Sequence, residues 1–123
     1  MIRVKRIYEP PASEDGLRIL VDRVWPRGLK KERAKVDFWL KSIAPSTELR
    51  KWFAHDPKKW REFCNRYRQE LQSKQREVDI LRHKIKQGVV TLLFAARDLD
   101  HNNAIALKSY LESTKSRRSA GRK

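Results

Sequence analysis

The sequence contains only one cysteine, Cys64, among its 123 residues. A single thiol excludes a disulfide within the chain and a zinc site built from several cysteines. The three histidines are scattered and show no spacing typical of metal ligands, so we expect neither a metal nor another cofactor. Such sparing use of cysteine is typical of a reducing compartment and favours a cytoplasmic protein.

Long apolar segments are also missing from the chain. The longest apolar run covers residues 89–96, contains Thr91, and is far too short to cross a bilayer. The first nine residues, MIRVKRIYE, contain no apolar stretch of the kind that signal peptides have. We therefore expect no membrane partner.

Acidic residues are scarce relative to basic ones. Fifteen Asp and Glu stand against 30 Lys and Arg, which gives a net charge of +15. Five of the surplus charges lie in residues 113–123, which contain no acid, so ten remain on the rest of the chain. A surplus of this size attracts polyanions, and nucleic acid is the polyanion that basic soluble proteins most often bind. Composition therefore predicts nucleic acid or a phosphorylated small molecule as the partner.

What the sequence does contain fits one small domain. A chain of 123 residues suits a single hydrophobic core, and its four tryptophans supply large apolar surfaces for that core. We assign residues 1–112 to this domain. Residues 113–123, STKSRRSAGRK, consist mainly of Ser, Arg and Lys, and we expect them to form a disordered basic tail.

Hydrophobic patterning predicts an α/β fold. Residues 2–8 alternate between apolar and basic, which indicates a half-exposed strand, and the apolar segments 17–25 and 89–96 indicate buried strands. Short helices are expected from Asp37 and after Ser46, and a longer helix over residues 57–87 continues or breaks near Ser73. A last helix follows residue 100.

A strand–helix–strand connection makes the second and third predicted strands parallel. We therefore expect a compact, single layered domain. Its sheet should be small and mostly parallel, with three or four strands, and helices should pack on it.

Two polar segments follow the two predicted parallel strands. VDRVWPRG, residues 21–28, forms the end of the second strand and the turn out of it, and RDLDHNN, residues 97–103, follows the third strand. Ligands of such sheets bind outside the carboxyl ends of the strands, and arginine side chains suit phosphate or carboxylate groups. The sequence therefore predicts an anion pocket there. Its candidate residues are Asp22, Arg23, Trp25, Arg27, Arg97, Asp98, His101 and Asn102.

Structural roles for the same residues stay open. Asp22 could form a salt bridge with Arg97 without any ligand, and Asp98 or Asp100 could simply cap the last helix. The sequence contains no glycine-rich phosphate loop and no G-x-S-x-G nucleophile motif. Catalysis is therefore not indicated by a motif.

Three functions are compatible with these features. The leading hypothesis is a basic protein that binds nucleic acid or a phosphorylated ligand, with salt-sensitive contacts to phosphate. The second is a small enzyme of nucleotide or phosphate-ester chemistry, in which Asp22, Asp98 or His101 acts as acid or base beside Arg23 or Arg27. The third is a protein-interaction module without a ligand. The candidate nucleic-acid surface comprises Lys58, Lys59, Arg61, Arg66, Arg68, Arg117 and Arg118.

Three segments resemble the YeaO-like proteins, a small bacterial and archaeal domain of unknown function. They are VDRVWPRGLKKERA, APSTELRKWFAHDPKKWREFCNRYRQEL and VTLLFAARDLDHNNAIAL, and the resemblance spans roughly residues 2–112. It implies a compact α/β domain and adds Ser46 and Arg50 to the residues that line the crevice. The polar positions typical of the family correspond here to Asp22, Arg23, Pro26, Arg27, Gly28, Ser46, Arg50, His55, Asp56 and Asn102.

The chain departs from the family pattern at one position near the expected site. The family often has His after the Asn that corresponds to Asn102, whereas this sequence has Asn103. The departure weakens any mechanism that needs an imidazole at the start of the last helix.

Overall fold

The computed structural model describes the backbone of residues 1–120 and the side chains of residues 1–113. It contains a four-stranded sheet with the order β1-β4-β2-β3, and every strand pairing is parallel. The strands are β1 (Ile2–Arg6), β2 (Leu17–Leu20), β3 (Phe38–Trp39) and β4 (Val90–Phe94). The predicted α/β fold with a small parallel sheet is confirmed, as is the parallel pairing of β2 with β4.

Five α-helices surround the sheet. They are α1 (Lys31–Ala34), α2 (Thr47–Phe53), α3 (Trp60–Gln72), α4 (Gln75–Gln87) and α5 (Asn103–Ala120). None of the helices within residues 1–120 combines the length and the apolar composition that a membrane span requires.

The two faces of the sheet are covered differently. On one face, Ile19, Leu92 and Phe94 pack in a cluster with apolar residues of α2, α3, α4 and α5. On the other face, Leu20 and Leu93 pack with a smaller cluster from α1 and the flanking loops. The alternation of these side chains along β2 and β4 is the alternation expected of strands covered on both faces.

The second strand is shorter than the sequence predicts. The predicted strand covers residues 17–25, but the β2 assignment ends at Leu20. The Val21 N–H still donates to the Leu93 carbonyl, and the next backbone donor of the neighbouring strand, the Ala95 N–H, donates to the Asp22 carboxylate instead. A side chain therefore replaces the backbone partner, and the chain turns away from the sheet at Asp22.

The predicted helix from Asp37 is wrong, because this segment forms the edge strand β3. The Asp37 N–H donates to the Arg18 carbonyl, and the Asp37 carboxylate accepts from the Arg18 N–H, each at 2.8 Å. Phe38 and Trp39 then pair in parallel with β2. The spacing of the apolar residues also suits a helix, so only the pairing with a strand that is distant in sequence decides the conformation.

The long predicted helix over residues 57–87 is divided into α3 and α4 at Ser73 and Lys74. The Ser73 hydroxyl donates to the Glu70 carbonyl at 2.7 Å, which satisfies an acceptor at the end of α3. The Lys74 ammonium donates to the carbonyls of Ser42 and Ala44. The break therefore ties the helical layer to the segment that precedes α2.

The last helix extends into the predicted tail. α5 continues to Ala120, so the backbone of residues 113–120 is helical, and residues 121–123 lie outside the described part of the chain. The division into a domain over residues 1–112 and a basic tail over residues 113–123 stays a prediction.

A buried ion cluster lies before β2, at the edge of the sheet where the strands begin. Asp15 is 1% exposed and binds Lys5 at 3.2 Å and Arg18 at 2.6 Å. Burial alone would raise the pKa of Asp15, but hydrogen bonds from the Ala12 N–H, Lys5 and Arg18 outweigh it and keep the pKa below its ordinary value. The cluster stabilises the amino ends of the strands. It lies away from their carboxyl ends, where the anion pocket is predicted.

Candidate functional site at the carboxyl ends of the strands

A cavity of about 500 Å³ lies at the carboxyl ends of β2 and β4. This is the crevice in which parallel sheets bind ligands, and its volume is in the range of small-molecule sites. We call it the first cavity. Of the predicted site residues, it is lined by Asp22, Arg23, Trp25, Arg27, Arg50, His101 and Asn102.

A second cavity, of about 770 Å³, adjoins the first. It is lined by Arg97 and Asp98, the remaining polar residues that the sequence predicts to form the site after β4. Both cavities are lined by Tyr8, His55, Ala95 and Ala96.

Asp22 is held by the surrounding structure on both of its carboxylate oxygens. Oδ2 accepts from the Ala95 N–H at 2.9 Å, and Oδ1 accepts from the Asn103 amide at 3.1 Å. Burial raises the pKa of Asp22, while these two hydrogen bonds and the charge of Arg50 act in the opposite direction. Within the described residues, no ion pair joins Asp22 to Arg97, so the alternative of a structural salt bridge between them is wrong.

Basic side chains outnumber acidic ones around the first cavity. Arg27, Arg50 and Lys51 are exposed at its rim, and Arg23 is half-buried. One terminal nitrogen of Arg23 donates to the carbonyls of Ala44 and Pro45 at 3.4 and 3.3 Å. Its Nε is buried and has no hydrogen-bond partner among the described residues. Four cations therefore line the first cavity together with one carboxylate, that of Asp22, which already accepts two hydrogen bonds.

Trp25 forms part of the cavity wall and is fixed in place. Its indole Nε1 donates to the Leu29 carbonyl at 2.7 Å, and its ring meets Trp39 edge to face at 5.5 Å. The Trp39 indole in turn donates to the Asp22 carbonyl. The VDRVWPRG segment is therefore anchored at both ends, which gives the first cavity a preformed wall.

Asp98 and His101 form an oriented pair. The His101 Nδ1 lies 3.0 Å from an Asp98 carboxylate oxygen, and the imidazole meets the Trp60 ring at 5.2 Å. Hydrogen bonds from the Asp100 N–H and from the His101 side chain lower the pKa of Asp98. Within the described residues, no group of three His, Cys, Asp or Glu side chains is placed to hold a metal ion.

The N-cap of α5 is Asn102, and the expectation that Asp98 or Asp100 caps this helix is wrong. The side-chain Oδ1 of Asn102 accepts from the Ile105 N–H at 2.9 Å, and its side-chain amide donates to the Asp98 backbone carbonyl. Asp98 instead closes the preceding turn by accepting from the Asp100 and His101 N–H groups. Asn102 is 3% exposed, so it orders the start of α5 beside the first cavity.

Ser46 lies outside the residues that line either cavity. Its hydroxyl accepts from the Leu49 N–H and donates to the Glu70 carboxylate at 2.6 Å. The predicted N-cap of α2 is confirmed. The contacts of Ser46 are those of a capping residue that joins α2 to α3.

Four lining residues with ionisable or amide side chains are not among the predicted site residues: Tyr8, Lys51, His55 and Asn103. Tyr8 follows β1, whose carboxyl end lies at the same edge of the sheet, so the topology is the signal that could have found it. The sequence marks Asn103 only as a departure from the family, yet its amide donates to the Val21 carbonyl as well as to Asp22. His55 is indicated only by the resemblance.

The predicted nucleic-acid surface on α3 is largely engaged in contacts within the protein. Lys59 and Arg66 lie over the Trp52 ring at 5.1 and 4.2 Å, and Arg66 also pairs with Glu62. The Arg68 guanidinium lies over Tyr110. Lys58 and Arg61 are exposed, and the side chains of Arg117 and Arg118 lie outside the described part of the structure.

Comparison with known proteins gives the family. The family model described as the inactive DUF488-N3 subclade, DUF488-N3i, matches residues 1–123. The chain belongs to this family. It is also 42% identical over 112 residues to the uncharacterized protein YeaO of Escherichia coli, which covers 91% of this chain and 97% of YeaO. The resemblance to YeaO-like proteins is therefore confirmed.

Mycobacterial proteins are similar as well. The uncharacterized protein Mb3100c of Mycobacterium bovis is 40% identical over 110 residues, which covers 89% of this chain and 92% of that protein. The uncharacterized protein Rv3073c of Mycobacterium tuberculosis matches to the same extent. No solved structure matches the chain.

Proposed function

We propose that this DUF488-N3i protein binds a phosphorylated small molecule in the first cavity. The observation that carries the proposal is the charge of the cavity lining. Arg23, Arg27, Arg50 and Lys51 line it together with a single carboxylate, that of Asp22. Guanidinium groups bind phosphate through paired, charge-assisted hydrogen bonds, so a lining of this kind suits a phosphate group.

The engagement of Asp22 supports an anionic rather than a cationic ligand. Both carboxylate oxygens already accept hydrogen bonds, one from the Ala95 N–H and one from the Asn103 amide. The carboxylate is therefore used to hold the end of β4 and the start of α5 together. Its interaction with the surrounding arginines neutralises only part of their charge.

Binding is favoured over catalysis by the side chains at the start of α5. Asn103 donates to Asp22 at a position where YeaO-like proteins often have His, and an amide cannot act as a general acid or base at neutral pH. The description of the matching family model as an inactive subclade agrees with a binding role. Cysteine usage supports our proposal that the protein works in the cytoplasm.

An enzyme of phosphate-ester chemistry is the second candidate. The observation that favours it is the Asp98–His101 pair, because a carboxylate that orients an imidazole is a common acid–base arrangement. Release of inorganic phosphate from a bound phosphate ester would favour this candidate over simple binding.

Nucleic acid remains a proposed partner through the basic face of α3. Lys59, just before α3, and Arg66 on α3 already contact the Trp52 ring, which favours the cavity as the primary site. A role as an interaction module without a ligand would require that neither the cavity nor this face binds an anion.

The proposal is tested by calorimetric titration with fructose 6-phosphate, with fructose as the uncharged control. Arg50→Ala should weaken binding by about 10- to 100-fold, because a hydrogen bond to a charged group contributes about 1.5–3 kcal/mol. Arg61→Ala is the matched control, since it removes the same charge from an exposed site on α3. Equal losses in the two variants, or binding of fructose as tight as that of its phosphate, would refute the proposal.

A further inference from the structure

The first and second cavities are both lined by Ala95 and Ala96, which we call their shared floor. Hydrogen bonds from Arg6 and to Asp22 hold this floor in place. The floor is the backbone of Ala95 and Ala96, just after β4. Arg6 donates to the carbonyls of Ala95 and Ala96 at 3.2 and 2.9 Å, and the Asp22 carboxylate accepts from the Ala95 N–H. A ligand that crosses this floor would therefore meet a surface that is already ordered.

Two side chains contribute to both cavities. Tyr8 is fixed by the hydrogen bond from its hydroxyl to the Arg27 carbonyl and by the Arg6 guanidinium, which lies 4.9 Å from its ring centre. His55 follows Ala54, and both have left-handed backbone conformations, with φ of 57° and 47°. Two consecutive non-glycine residues in this region are unusual, and such strain is often found at ligand sites.

Each cavity is lined by an exposed arginine and by a carboxylate that is already engaged. In the first cavity Arg50 is exposed, and the Asp22 carboxylate accepts from Ala95 and Asn103. In the second cavity Arg97 is exposed, and the Asp98 carboxylate accepts from N–H groups of its own turn. The two adjoining spaces are therefore each suited to one anionic group.

We infer that the ligand carries two phosphate groups, one in each cavity, joined by a sugar-sized body that crosses Ala95 and Ala96 beside Tyr8 and His55. The inference rests on the proposed function and defines its ligand class. The first phosphate is bound by the Arg50 side of the site, and the second is bound by Arg97. A nucleoside bisphosphate and a sugar bisphosphate share this chemistry.

The experiment compares two matched pairs of probes by calorimetric titration. The pairs are fructose 6-phosphate with fructose 1,6-bisphosphate, and adenosine 5′-monophosphate with adenosine 3′,5′-bisphosphate. Each pair is titrated into the wild-type chain and into Arg97→Ala, Arg50→Ala and Arg61→Ala. The three variants lose the same charge, so a general loss of electrostatic attraction affects them equally.

At least one bisphosphate should bind about tenfold or more tightly than its monophosphate. Arg97→Ala should remove this preference and leave monophosphate affinity unchanged, Arg50→Ala should weaken both members of the pair, and Arg61→Ala should preserve the preference. If a monophosphate binds and requires Arg50 but neither bisphosphate binds more tightly, the inference is wrong and the proposed function stands. If no monophosphate binding depends on Arg50, the proposed function is wrong as well.

Discussion

At the scale of single residues, Asp22 shows how a carboxylate that lies among cations can be engaged by hydrogen bonds within the protein. Its oxygens accept from Ala95 and Asn103, and its backbone carbonyl accepts from the Trp39 indole. Three segments of the chain therefore meet at this residue. In this account, Asp22 organises the cavity and its negative charge opposes an anionic ligand.

Asp22→Asn should strengthen the binding of fructose 6-phosphate. An asparagine of the same shape keeps an acceptor for the Ala95 N–H and loses the one for the Asn103 amide. It also removes a repulsion of about 1 kcal/mol, so affinity should rise about fivefold. The Glu112→Gln variant, which changes the same charge at an exposed site on α5, is the control for calorimetry. A loss of affinity in Asp22→Asn alone would mean that the carboxylate binds the ligand directly.

The same variant should alter the pH dependence of stability. Because burial raises the pKa of Asp22 above its ordinary value of 3.8, the native state binds this proton more tightly than the unfolded state does. Stability contributed by Asp22 is therefore lost as pH rises from about 3.8 through the native pKa. The free energy of unfolding of Asp22→Asn, relative to wild type in urea titrations, should increase over that interval. A relative decrease would contradict the account.

The sequence predicts seven of the residues that line the first cavity but not their roles. The rule that ligands bind at the carboxyl ends of parallel strands is enough to identify Asp22, Arg23 and His101 from the sequence alone. It cannot show that the amide of Asn103, 81 residues away, donates a hydrogen bond to one carboxylate oxygen of Asp22. Contacts between segments that are distant in sequence depend on the complete fold, and a single sequence contains no direct signal for them.

At the scale of secondary structure elements, the Glu70 side chain of α3 joins that helix to the start of α2. The Ser46 N–H and hydroxyl both donate to the Glu70 carboxylate, and the same hydroxyl caps the helix by accepting from the Leu49 N–H. Arg50, one turn further along α2, lines the first cavity, whereas Ser46 does not.

Ser46→Ala should destabilise the protein by about 2 kcal/mol, because it removes the cap and a hydrogen bond to a charged acceptor. Ser46→Thr, which retains the hydroxyl, should recover most of the loss in urea denaturation. Affinity for fructose 6-phosphate should remain unchanged in Ser46→Ala, since Ser46 lines neither cavity. Reduced affinity at unchanged stability would show instead that Ser46 contacts the ligand.

Local signals predicted some elements well and others not at all. Ser46 and Asp56 are polar residues at helix starts, and both accept from a backbone N–H of the following turn, at Leu49 and Lys58. The segment that starts at Asp37 begins with the same kind of polar residue, yet its conformation depends on pairing with β2. Capping is determined within one turn of chain, whereas an edge strand is determined by its partner.

At the scale of the whole molecule, the net charge of +15 predicts an anionic partner but not where it binds. The structure separates two basic regions, the first cavity and the outer face of α3. Lys59, just before α3, and Arg66 on α3 pack on Trp52, which composition alone could not show. The first cavity is therefore the region where cationic side chains line a concave, partly open space.

The most direct test of the central claim uses the tryptophan indoles as reporters of position. Trp25 lines the first cavity, whereas Trp52 lies beneath the cations of α3. We would titrate ¹⁵N-labelled protein with fructose 6-phosphate and follow the indole N–H signals by two-dimensional NMR. We expect the Trp25 signal to shift with saturation while the Trp52 signal stays in place. A shift of Trp52 with an unchanged Trp25 would place the anion on α3 and rule out the first cavity as its site.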